Sequence, residues 1–425
     1  MTSRLITIAA LATLSLSAHV FAAETADDPL IVRARKILAK VPIIDGHNDV
    51  PWEMRERVGL EISKIDLRND TSLLTPAMHT DIPRLRKGGV GAQFWSVYVP
   101  ADRDGPVAFR MVAEQIDIVQ RMTELYPETF ENAVSVADIA RIGKKKKIAS
   151  LIGIEGGHAI DNSLPALRQL YMLGARYMTL THSKNNDWAD SATDAPRHNG
   201  LTAFGKDVIG EMNRLGMLVD LSHVSAKTMH DVLDVTRAPV IFSHSSARAV
   251  VNHPRDVPDD ILKRLVVNNG VVMITFVPGF ISEKVRLHGA EQDAEEARLK
   301  TLNQGDPQRV AQELAAWKER HPAPKASVSD VADHVDHIRK IAGVDRIGLG
   351  GDFDGIKSTI PGLDSVDDYP SLFAELLRRG YSETDLEKIA GRNLLRVFTK
   401  AEAVAAKLRS QGRSSEAKYV AVATQ

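Results

Sequence analysis

The chain contains no cysteine in its 425 residues. This absence excludes disulfide bonds, a thiolate nucleophile, zinc held by cysteine and a lipid-modified N-terminal cysteine. Any metal ion must therefore be held by His, Asp and Glu side chains. The composition is otherwise that of a globular protein, with 44% hydrophobic and 26% charged residues. The length suits one large barrel or two smaller domains.

An excess of charge of either sign is also missing, because 54 Lys and Arg residues face 55 Asp and Glu residues. The net charge of -1 argues against nucleic acid or an anionic membrane as a main partner. One dense basic run, Lys144 to Lys147, precedes an apolar segment. We interpret it as a solvated helix end or turn.

The apolar run at the N-terminus, Leu5 to Leu16, is interrupted by Thr and Ser and is short for a membrane span. Arg4 precedes it, and the small residues of Val20-Phe21-Ala22-Ala23 offer a cleavage site. We therefore predict a signal peptide over residues 1–23, with an uncleaved anchor as the alternative. The remaining residues, 24–425, are predicted to form a single domain that is soluble in the periplasm or secreted.

Apolar segments of strand length alternate with amphipathic helical segments along the rest of the chain. The predicted strands are Ile43–Ile44 with the residues after it, Val90–Val99, Ile148–Ile154, Arg176–Thr181, Met217–Leu221, Pro239–Ser243, Val271–Val277 and Arg346–Leu349. The predicted helices include Pro29–Lys40, Val107–Leu125, Leu164–Leu173, Gly205–Leu215 and Asp259–Val267. Eight such units favour an α/β fold, a closed (β/α)8 barrel of the TIM type, over an open doubly wound sheet.

One segment, Ser282 to Ser327, interrupts this alternation between the seventh and eighth predicted strands. It is strongly charged, and two stretches within it, Glu291–Leu302 and Pro307–Arg320, are helical in character. We interpret residues 282–327 as an insertion that lies either over the barrel mouth or at a subunit contact.

The first predicted strand ends in a group of potential metal ligands. Ile43-Ile44 runs into Asp45-Gly46, which is a turn signal, and then into His47-Asn48-Asp49. Because alternate residues of a strand share a face, His47 and Asp49 are expected to point inward together. A lone H-x-D pattern is more often an ordinary polar loop.

The other strand ends reverse that interpretation, because most of them also carry His or a carboxylate. These ends are Glu155-Gly156-Gly157-His158, Thr181-His182-Ser183, Asp220-Leu221-Ser222-His223, Phe242-Ser243-His244-Ser245 and Gly350-Gly351-Asp352-Phe353-Asp354-Gly355. In a (β/α)8 barrel the carboxyl ends of all strands meet at one mouth, where catalytic residues lie. The pattern predicts a metal site at that mouth.

His and carboxylate ligands without thiolates suit Zn²⁺ or a similar divalent ion. Three His and two carboxylates suffice for two ions if one carboxylate bridges them, and two ions can hold a hydroxide between them. Glu155 is the natural bridge. His182 is a further ligand, a donor to an oxyanion or a structural residue. Of Asp352 and Asp354, one is expected to transfer protons and the other to brace the turn.

Two other chemistries are not supported. Ser222-His223 and Ser243-His244 are sequence neighbours, so their side chains are expected to face opposite ways and not to pair as nucleophile and base. The glycines from Gly348 to Gly351 lack the Lys-Ser/Thr of a phosphate-binding loop.

Taken together, these residues resemble the membrane (renal) dipeptidase family of zinc peptidases, relatives of the amidohydrolase barrels. The resemblance covers nearly all of residues 24–425. It rests on Ile44-Asp45-Gly46-His47-Asn48-Asp49-Val50-Pro51-Trp52, Glu155-Gly156-Gly157-His158, Leu180-Thr181-His182-Ser183, Asp220-Leu221-Ser222-His223-Val224-Ser225, Phe242-Ser243-His244-Ser245-Ser246-Ala247, Val257-Pro258-Asp259-Asp260, Gly350-Gly351-Asp352-Phe353-Asp354-Gly355 and Asn393-Leu394-Leu395-Arg396-Val397-Phe398.

The resemblance implies two zinc ions per chain bridged by Glu155. One ion would be held by His47, Asp49 and Glu155, and the other by Glu155, His223 and His244. It also implies that His182 assists the tetrahedral intermediate, that Arg255 binds the substrate carboxylate and that Asp352 shuttles the proton to the leaving amine. From the residues alone, Arg255 would pass as a surface residue.

The expected function is that of a soluble, exported, homodimeric dipeptidase in which a metal-bridging hydroxide attacks a dipeptide. The resemblance further implies that substrates with a C-terminal D-residue are accepted. The animal enzymes have cysteines and a lipid anchor, whereas this chain has no cysteine and we expect it to have no stable membrane anchor. The animal enzymes also have a shorter segment in place of residues 282–327. The alternatives are an amidohydrolase acting on a β-lactam, lactone or cyclic amide at the same centre, and a periplasmic binding protein that has lost catalysis.

Overall fold

The structure is a computed structural model that describes residues 28–103 and 105–421. The predicted signal peptide, residues 1–23, lies outside the described residues. Within them, no helix combines the length and the apolar character needed to cross a bilayer.

The described residues form a sheet of parallel strands wound into a closed barrel. The strands are β1 Ile43–Asn48, β2 Val90–Tyr98, β3 Phe130–Asn132, β4 Ile148–Glu155, β5 Ala175–Thr179, β6 Leu218–Asp220, β7 Ile241–Ser245, β8 Val271–Ile274 and β9 Ile347–Leu349. Their order is β2-β1-β9-β8-β7-β6-β5-β4-β3, and a further pairing of β2 with β4 closes the ring. The predicted (β/α)8 barrel is thereby confirmed.

Helices surround the strands. They are α1 Pro29–Lys40, α2 Val50–Val58, α3 Ile82–Lys87, α4 Gly105–Leu125, α5 Val136–Lys144, α6 Leu164–Met172, α7 Ala203–Leu215, α8 Ala226–Val235, α9 Asp259–Asn268, α10 Pro278–Ile281, α11 Glu283–Leu302, α12 Pro307–Arg320, α13 Val328–Ala342, α14 Tyr369–Arg378, α15 Glu383–Glu387 and α16 Asn393–Gln411.

Side chains along each strand point alternately into the barrel and outward toward the helices, and the inward ones fill the barrel. On β2, Trp95 and Val97 belong to the hydrophobic core that the barrel shares with its helices. Phe94 lies on the opposite face of the strand and packs against Tyr177 of β5, with ring centroids 5.1 Å apart. The cluster that contains these two rings continues onto α16 through Phe398. Residues that follow the same inward face toward the carboxyl ends of the strands reach the barrel mouth.

Two features differ from the sequence prediction. The short strand β3 was not predicted, and it lies beside the first residues of β4, outside the eight-membered ring. Asp45-Gly46 is not a turn, because β1 continues through it to Asn48. An added Cβ on Gly46 would lie 2.6 Å from both Met273 Sδ and Ser243 O. Glycine is present there because the neighbouring backbone approaches closely, not because the chain turns.

The insertion at residues 282–327 consists mainly of α11 and α12, which pack against each other. Each has a single buried residue, Leu299 in α11 and Val310 in α12. The second helix ends where the sequence pattern predicted, whereas the first begins eight residues earlier than Glu291. Among the described residues, none from 282–327 lines the cavity at the barrel mouth.

Candidate metal centre

Glu155 is the last residue of β4 and lies at the centre of the barrel mouth, 4% exposed. Its two carboxylate oxygens face different groups. Oε2 accepts a hydrogen bond from Ser96 Oγ at 3.0 Å and lies 3.3 Å from His47 Nε2. Oε1 lies 2.9 Å from His223 Nε2 and 3.5 Å from His244 Nε2. A single carboxylate thus divides its oxygens between two sets of imidazoles.

The first set is completed by Asp49, the residue that precedes α2. Asp49 Oδ2 lies 3.3 Å from His47 Nε2. Asp352, which follows β9, places Oδ1 at 3.8 Å from the same nitrogen. His47, Asp49 and Asp352 form one possible ligand group, and His47, Glu155 and His244 form another.

The second set brings together His223, which follows β6, and His244 of β7. Their Nε2 atoms are 2.9 Å apart. Burial lowers the pKa of both side chains well below the usual value for histidine, so both are neutral at pH 7. Glu155, His182 and His223 form the third possible ligand group. His223 adopts a left-handed backbone conformation with φ of 71°, which turns its side chain toward the site.

The donors present fit divalent metal ions. His47 Nε2 is buried and has no hydrogen-bond partner among the described residues. Burial opposes a charge on His47, but Tyr177, Glu155 and Asp49 together raise its pKa well above the usual value. A buried nitrogen that faces two carboxylates therefore sits where a positive charge is favoured. Imidazole and carboxylate in this combination are typical ligands of zinc and related ions.

Buried groups behind the ligands fix the imidazole orientations. His244 Nδ1 lies 2.8 Å from Ser243 Oγ, which in turn donates a hydrogen bond to Asp220 Oδ2 at 2.6 Å. With its hydrogen donated to Asp220, the hydroxyl accepts from Nδ1–H and leaves Nε2 free to bind a metal. The expectation that the side chains of Ser243 and His244 face opposite ways is therefore wrong. The contact orients an imidazole and does not activate a nucleophile.

Two further buried side chains, Tyr177 and Asp45, were not identified from the sequence. Tyr177 OH lies 2.9 Å from His47 Nδ1. Asp45 accepts hydrogen bonds from the His47 backbone N–H at 2.7 Å and the Gly351 backbone N–H at 3.2 Å, and also from Tyr369 OH. It therefore connects β1 to the loop that follows β9 and carries Asp352. Burial raises the pKa of Asp45.

Arg255 is 3% exposed and lines the cavity, so it is not the surface residue that its sequence context suggests. Its Nη2 donates to His244 O at 3.4 Å, and the guanidinium lies 5.4 Å from the Phe280 ring centroid. Its Nη1 is buried and has no hydrogen-bond partner among the described residues. Because a buried charged nitrogen without a hydrogen-bond partner is costly, Nη1 is available to bind an anion.

Asp352 and Asp354 occupy different positions. Both line the cavity, but Asp352 places Oδ1 3.8 Å from His47 Nε2, and burial raises its pKa well above the usual value for a carboxyl group. Asp354 Oδ1 accepts a hydrogen bond from the His79 backbone N–H at 2.7 Å, so this residue braces the loop before α3. Of the pair, Asp352 is therefore the one that faces His47.

His182 is partly exposed, with Nε2 3.8 Å from Glu155 Oε1 and its ring 4.4 Å from that of His223. Burial lowers its pKa, so the neutral form is present at pH 7. The cavity has a volume of about 390 Å³, and its outer wall includes Trp52, Tyr98 and Phe280. It suits a small molecule.

A parallel (β/α)8 barrel with buried imidazoles and carboxylates at its carboxyl-terminal mouth defines a metal-dependent hydrolase. Residues 31–412 match the model of the membrane dipeptidase family, peptidase family M19. The chain belongs to this family and is a metal-dependent dipeptidase.

Solved structures show the same fold. A probable dipeptidase, PvdM, from Pseudomonas aeruginosa is 22% identical, with a TM-score of 0.74 over 88% of this chain and 99% of that chain. A metallopeptidase from Rhodobacter sphaeroides, solved with a phosphinate mimic of the dipeptide L-Ala-D-Ala, is 22% identical, with a TM-score of 0.69 over 85% and 99% of the two chains. An amidohydrolase from Pseudomonas aeruginosa is 21% identical, with a TM-score of 0.65 over 87% and 98%.

Proposed function

We propose that this dipeptidase hydrolyses free dipeptides with two zinc ions that share Glu155. The supporting observation is the division of the Glu155 oxygens, with Oε2 beside His47 and Oε1 beside His223 and His244. His47, Asp49 and Glu155 would hold one ion, and Glu155, His223 and His244 the other. When bound, such a pair of ions supplies an activated water and polarises the scissile carbonyl.

Arg255 anchors the free carboxylate of the dipeptide. Its buried Nη1 lacks a partner among the described residues, and a carboxylate would satisfy it with a charge-assisted hydrogen bond. An anchor at this depth requires the substrate to end one residue beyond the scissile bond. Longer peptides would have to bury a peptide group in place of the carboxylate, which leaves the guanidinium charge uncompensated.

Asp352 transfers the proton, and His182 stabilises the negative charge that develops on the carbonyl oxygen. Asp352 lies beside His47 and lines the cavity, so it takes the proton from the attacking water and passes it to the leaving amine. His182 borders the cavity beside Glu155 and His223 and donates a hydrogen bond to the oxyanion.

Three further parts of the proposal follow, of which the first two are supported by the family resemblance and the third by the N-terminal sequence alone. A C-terminal D-residue is accepted, as in the L-Ala-D-Ala mimic bound by the Rhodobacter relative. The mature protein is a homodimer. The segment 1–23 directs it to the periplasm or out of the cell and is then removed.

The deciding experiment compares dipeptides that have free or amidated C-termini, with either an L- or a D-residue at the second position. Dipeptides with a free carboxylate should have a kcat/KM about 100-fold or more above that of the amidated ones, because amidation removes a buried charge pair with Arg255. Metal analysis of the same preparation should give two zinc ions per chain. Equal rates on free and amidated substrates would refute the Arg255 anchor, and activity only on cyclic amides or lactones would refute the dipeptide assignment.

A further inference from the structure

A second cavity, of about 580 Å³, opens at the base of the barrel, at the opposite end of the strands from the metal ligands. We call it the basal cleft. It lies where β1, β2 and β4 begin, and α1, α3, α5 and α16 contribute its walls. Its volume lies within the usual range for a small-molecule site.

The floor of the basal cleft is apolar. It is formed by four buried side chains. Three lie near the start of barrel strands, namely Ile44, Ala92 and Ile148, and the fourth is Leu38 of α1. On the α5 wall, a Cβ added to Gly143 would meet no atom within 4 Å, so the space beside this glycine is open. The shape and lining fit a flexible alkyl chain.

The rim of the cleft carries charge of one sign. Every charged side chain that lines it among the described residues is basic, namely Lys40, Arg86, Lys146, Lys147 and Arg392. This is a local concentration in a chain whose net charge is -1. Such a cluster raises the potential at the cleft and attracts an anion.

Neighbouring carboxylates neutralise this rim only in part. Glu387 is shared by Lys40 at 2.6 Å and Arg392 at 2.7 Å. Arg86 and Lys146 form no ion pair with any described residue, and Arg86 Nη2 donates only to Thr129 Oγ1, at 2.9 Å. Two cations of different walls therefore lack a counter-charge beside an apolar floor.

We propose that the basal cleft binds one alkyl carboxylate, the chemical class of a free fatty acid, with its chain on the apolar floor and its carboxylate between Arg86 and Lys146. The site lies at the far end of the barrel from Glu155, so the ligand does not compete with a dipeptide. Neither Arg86 nor Lys146 has a part in the hydrolytic reaction.

Titration calorimetry of the zinc-loaded full chain with dodecanoate, kept below its micellar concentration, tests the proposal. Dodecanoate should bind with one molecule per chain, and dodecyltrimethylammonium, which has the same chain length and the opposite charge, should not. Gly143→Phe should abolish binding, because its ring would extend from the α5 wall into the open space of the cleft. The matched control is Gly210→Phe on α7, where an added Cβ also meets nothing within 4 Å and which lies outside the cleft.

Charge variants supply the second arm. Arg86→Gln and Lys146→Gln should each weaken dodecanoate binding about fivefold, the effect of one cation near an anionic group. Lys144→Gln, in the same basic run but outside the cleft lining, should leave it unchanged. Dipeptide hydrolysis should be unaltered in all of these variants. The proposal is overturned if dodecanoate does not bind, if the cationic amphiphile binds equally well, if Gly143→Phe binds normally, or if only anionic vesicles bind.

Discussion

Tyr177 shows how a residue that touches no substrate contributes to the metal centre. Its hydroxyl lies 2.9 Å from His47 Nδ1, on the side of the ring opposite the carboxylates. When Nδ1 carries the proton, it donates a hydrogen bond to this hydroxyl, and the lone pair of Nε2 faces Asp49 and Glu155. The tautomer of His47 thus depends on a residue 130 positions away in the chain.

We predict that Tyr177→Phe weakens metal binding by about 10- to 100-fold, the usual cost of losing a hydrogen bond behind a ligand. The barrel should remain folded, because phenylalanine keeps the ring that packs against Phe94. Competition with a chelator measures the metal affinity. Tyr126→Phe is the matched control, because it removes a buried hydroxyl that accepts from Leu67 N far from the site. Equal metal affinities in the two variants would contradict the role of Tyr177.

Asp220 and Asp45 position the candidate ligands by binding backbone N–H groups next to them. Asp220 Oδ1 accepts from the backbone N–H groups of Ser222 at 3.0 Å and Ser243 at 2.8 Å, so it joins the ends of β6 and β7. Because His223 and His244 follow these two backbone positions directly, Asp220 holds their nitrogens near each other. Asp45 plays the corresponding part between β1 and the loop after β9.

At the scale of elements, the strand ends could be predicted from the sequence, whereas the groups behind them could not. An apolar run followed at once by His or a carboxylate is visible without a structure, and it located His47, Glu155, His223 and His244. Asp45 and Tyr177 lie inside strands β1 and β5. In the sequence, each is only one residue within a mostly apolar run, with nothing to mark it as functional. Their roles depend on strand register, which pairs residues more than a hundred positions apart.

Burial of Arg255 is a further property that local sequence does not reveal. It stands in an irregular, polar segment between β7 and α9, which is typical of an exposed loop. The segment is drawn inward because Ala247 pairs with Val257 and the Ser246 backbone N–H donates to Asp256 Oδ1 at 3.2 Å. Only the family resemblance pointed to this arginine. The short strand β3 was missed because three residues carry no detectable period.

The hairpin of α11 and α12 is predicted to be the least protected helical part of the described chain. Helix α11 has 20 residues with one buried, whereas α4 has 21 residues with eight buried. Since local opening is easiest where few apolar contacts are lost, amides of α11 should exchange with deuterium much faster than those of α4. Hydrogen exchange followed by mass spectrometry measures both in one sample.

Protein concentration serves as the control for that experiment. If the hairpin lies at a subunit contact, its exchange should slow as the concentration rises, while the exchange of α4 should stay constant. Exchange of α11 that is as slow as that of α4 at every concentration would contradict the prediction. In that case contacts within one chain would hold the hairpin more firmly than its two buried residues indicate.

For the whole molecule, the barrel separates two chemical environments along one axis. The mouth collects imidazoles and carboxylates around Glu155, and the base collects cations around an apolar floor. A (β/α)8 barrel keeps these ends independent, because the packed interior lies between them. The stability of the folded barrel depends on contacts between its helices and the segments that follow its strands. A buried histidine on α13 makes two such contacts.

His334 is fully buried and joins two segments that follow barrel strands. Its Nδ1 accepts from the Ala247 backbone N–H at 3.0 Å, and its Nε2 donates to Ile281 O at 3.2 Å. The bond from Ala247 requires the neutral ring, because protonated Nδ1 would face a donor, whereas Nε2–H can donate to Ile281 O in either protonation state. Burial lowers the pKa of His334 to about 4 from its usual 6.5.

This depressed pKa makes the free energy of unfolding depend on pH. Between pH 6.5 and about 4 the unfolded chain binds a proton that folded His334 does not, so stability falls as the pH is lowered through that range. Above pH 6.5 the contribution is constant and fully present. Integrated down to pH 4.5, the loss amounts to about 2–3 kcal/mol for this one side chain.

His334→Gln keeps one hydrogen-bond acceptor and one donor. Between pH 7 and pH 4.5 we therefore expect its free energy of unfolding to fall by about 2–3 kcal/mol less than that of the wild type. Urea unfolding at the two pH values measures the difference. Loss of metal at low pH affects both proteins alike and cancels in the comparison. His321→Gln, at an exposed position on the insertion, should leave the wild-type pH dependence intact. If His334→Gln shows that same dependence, the acid sensitivity arises from groups other than this junction between α13 and the barrel.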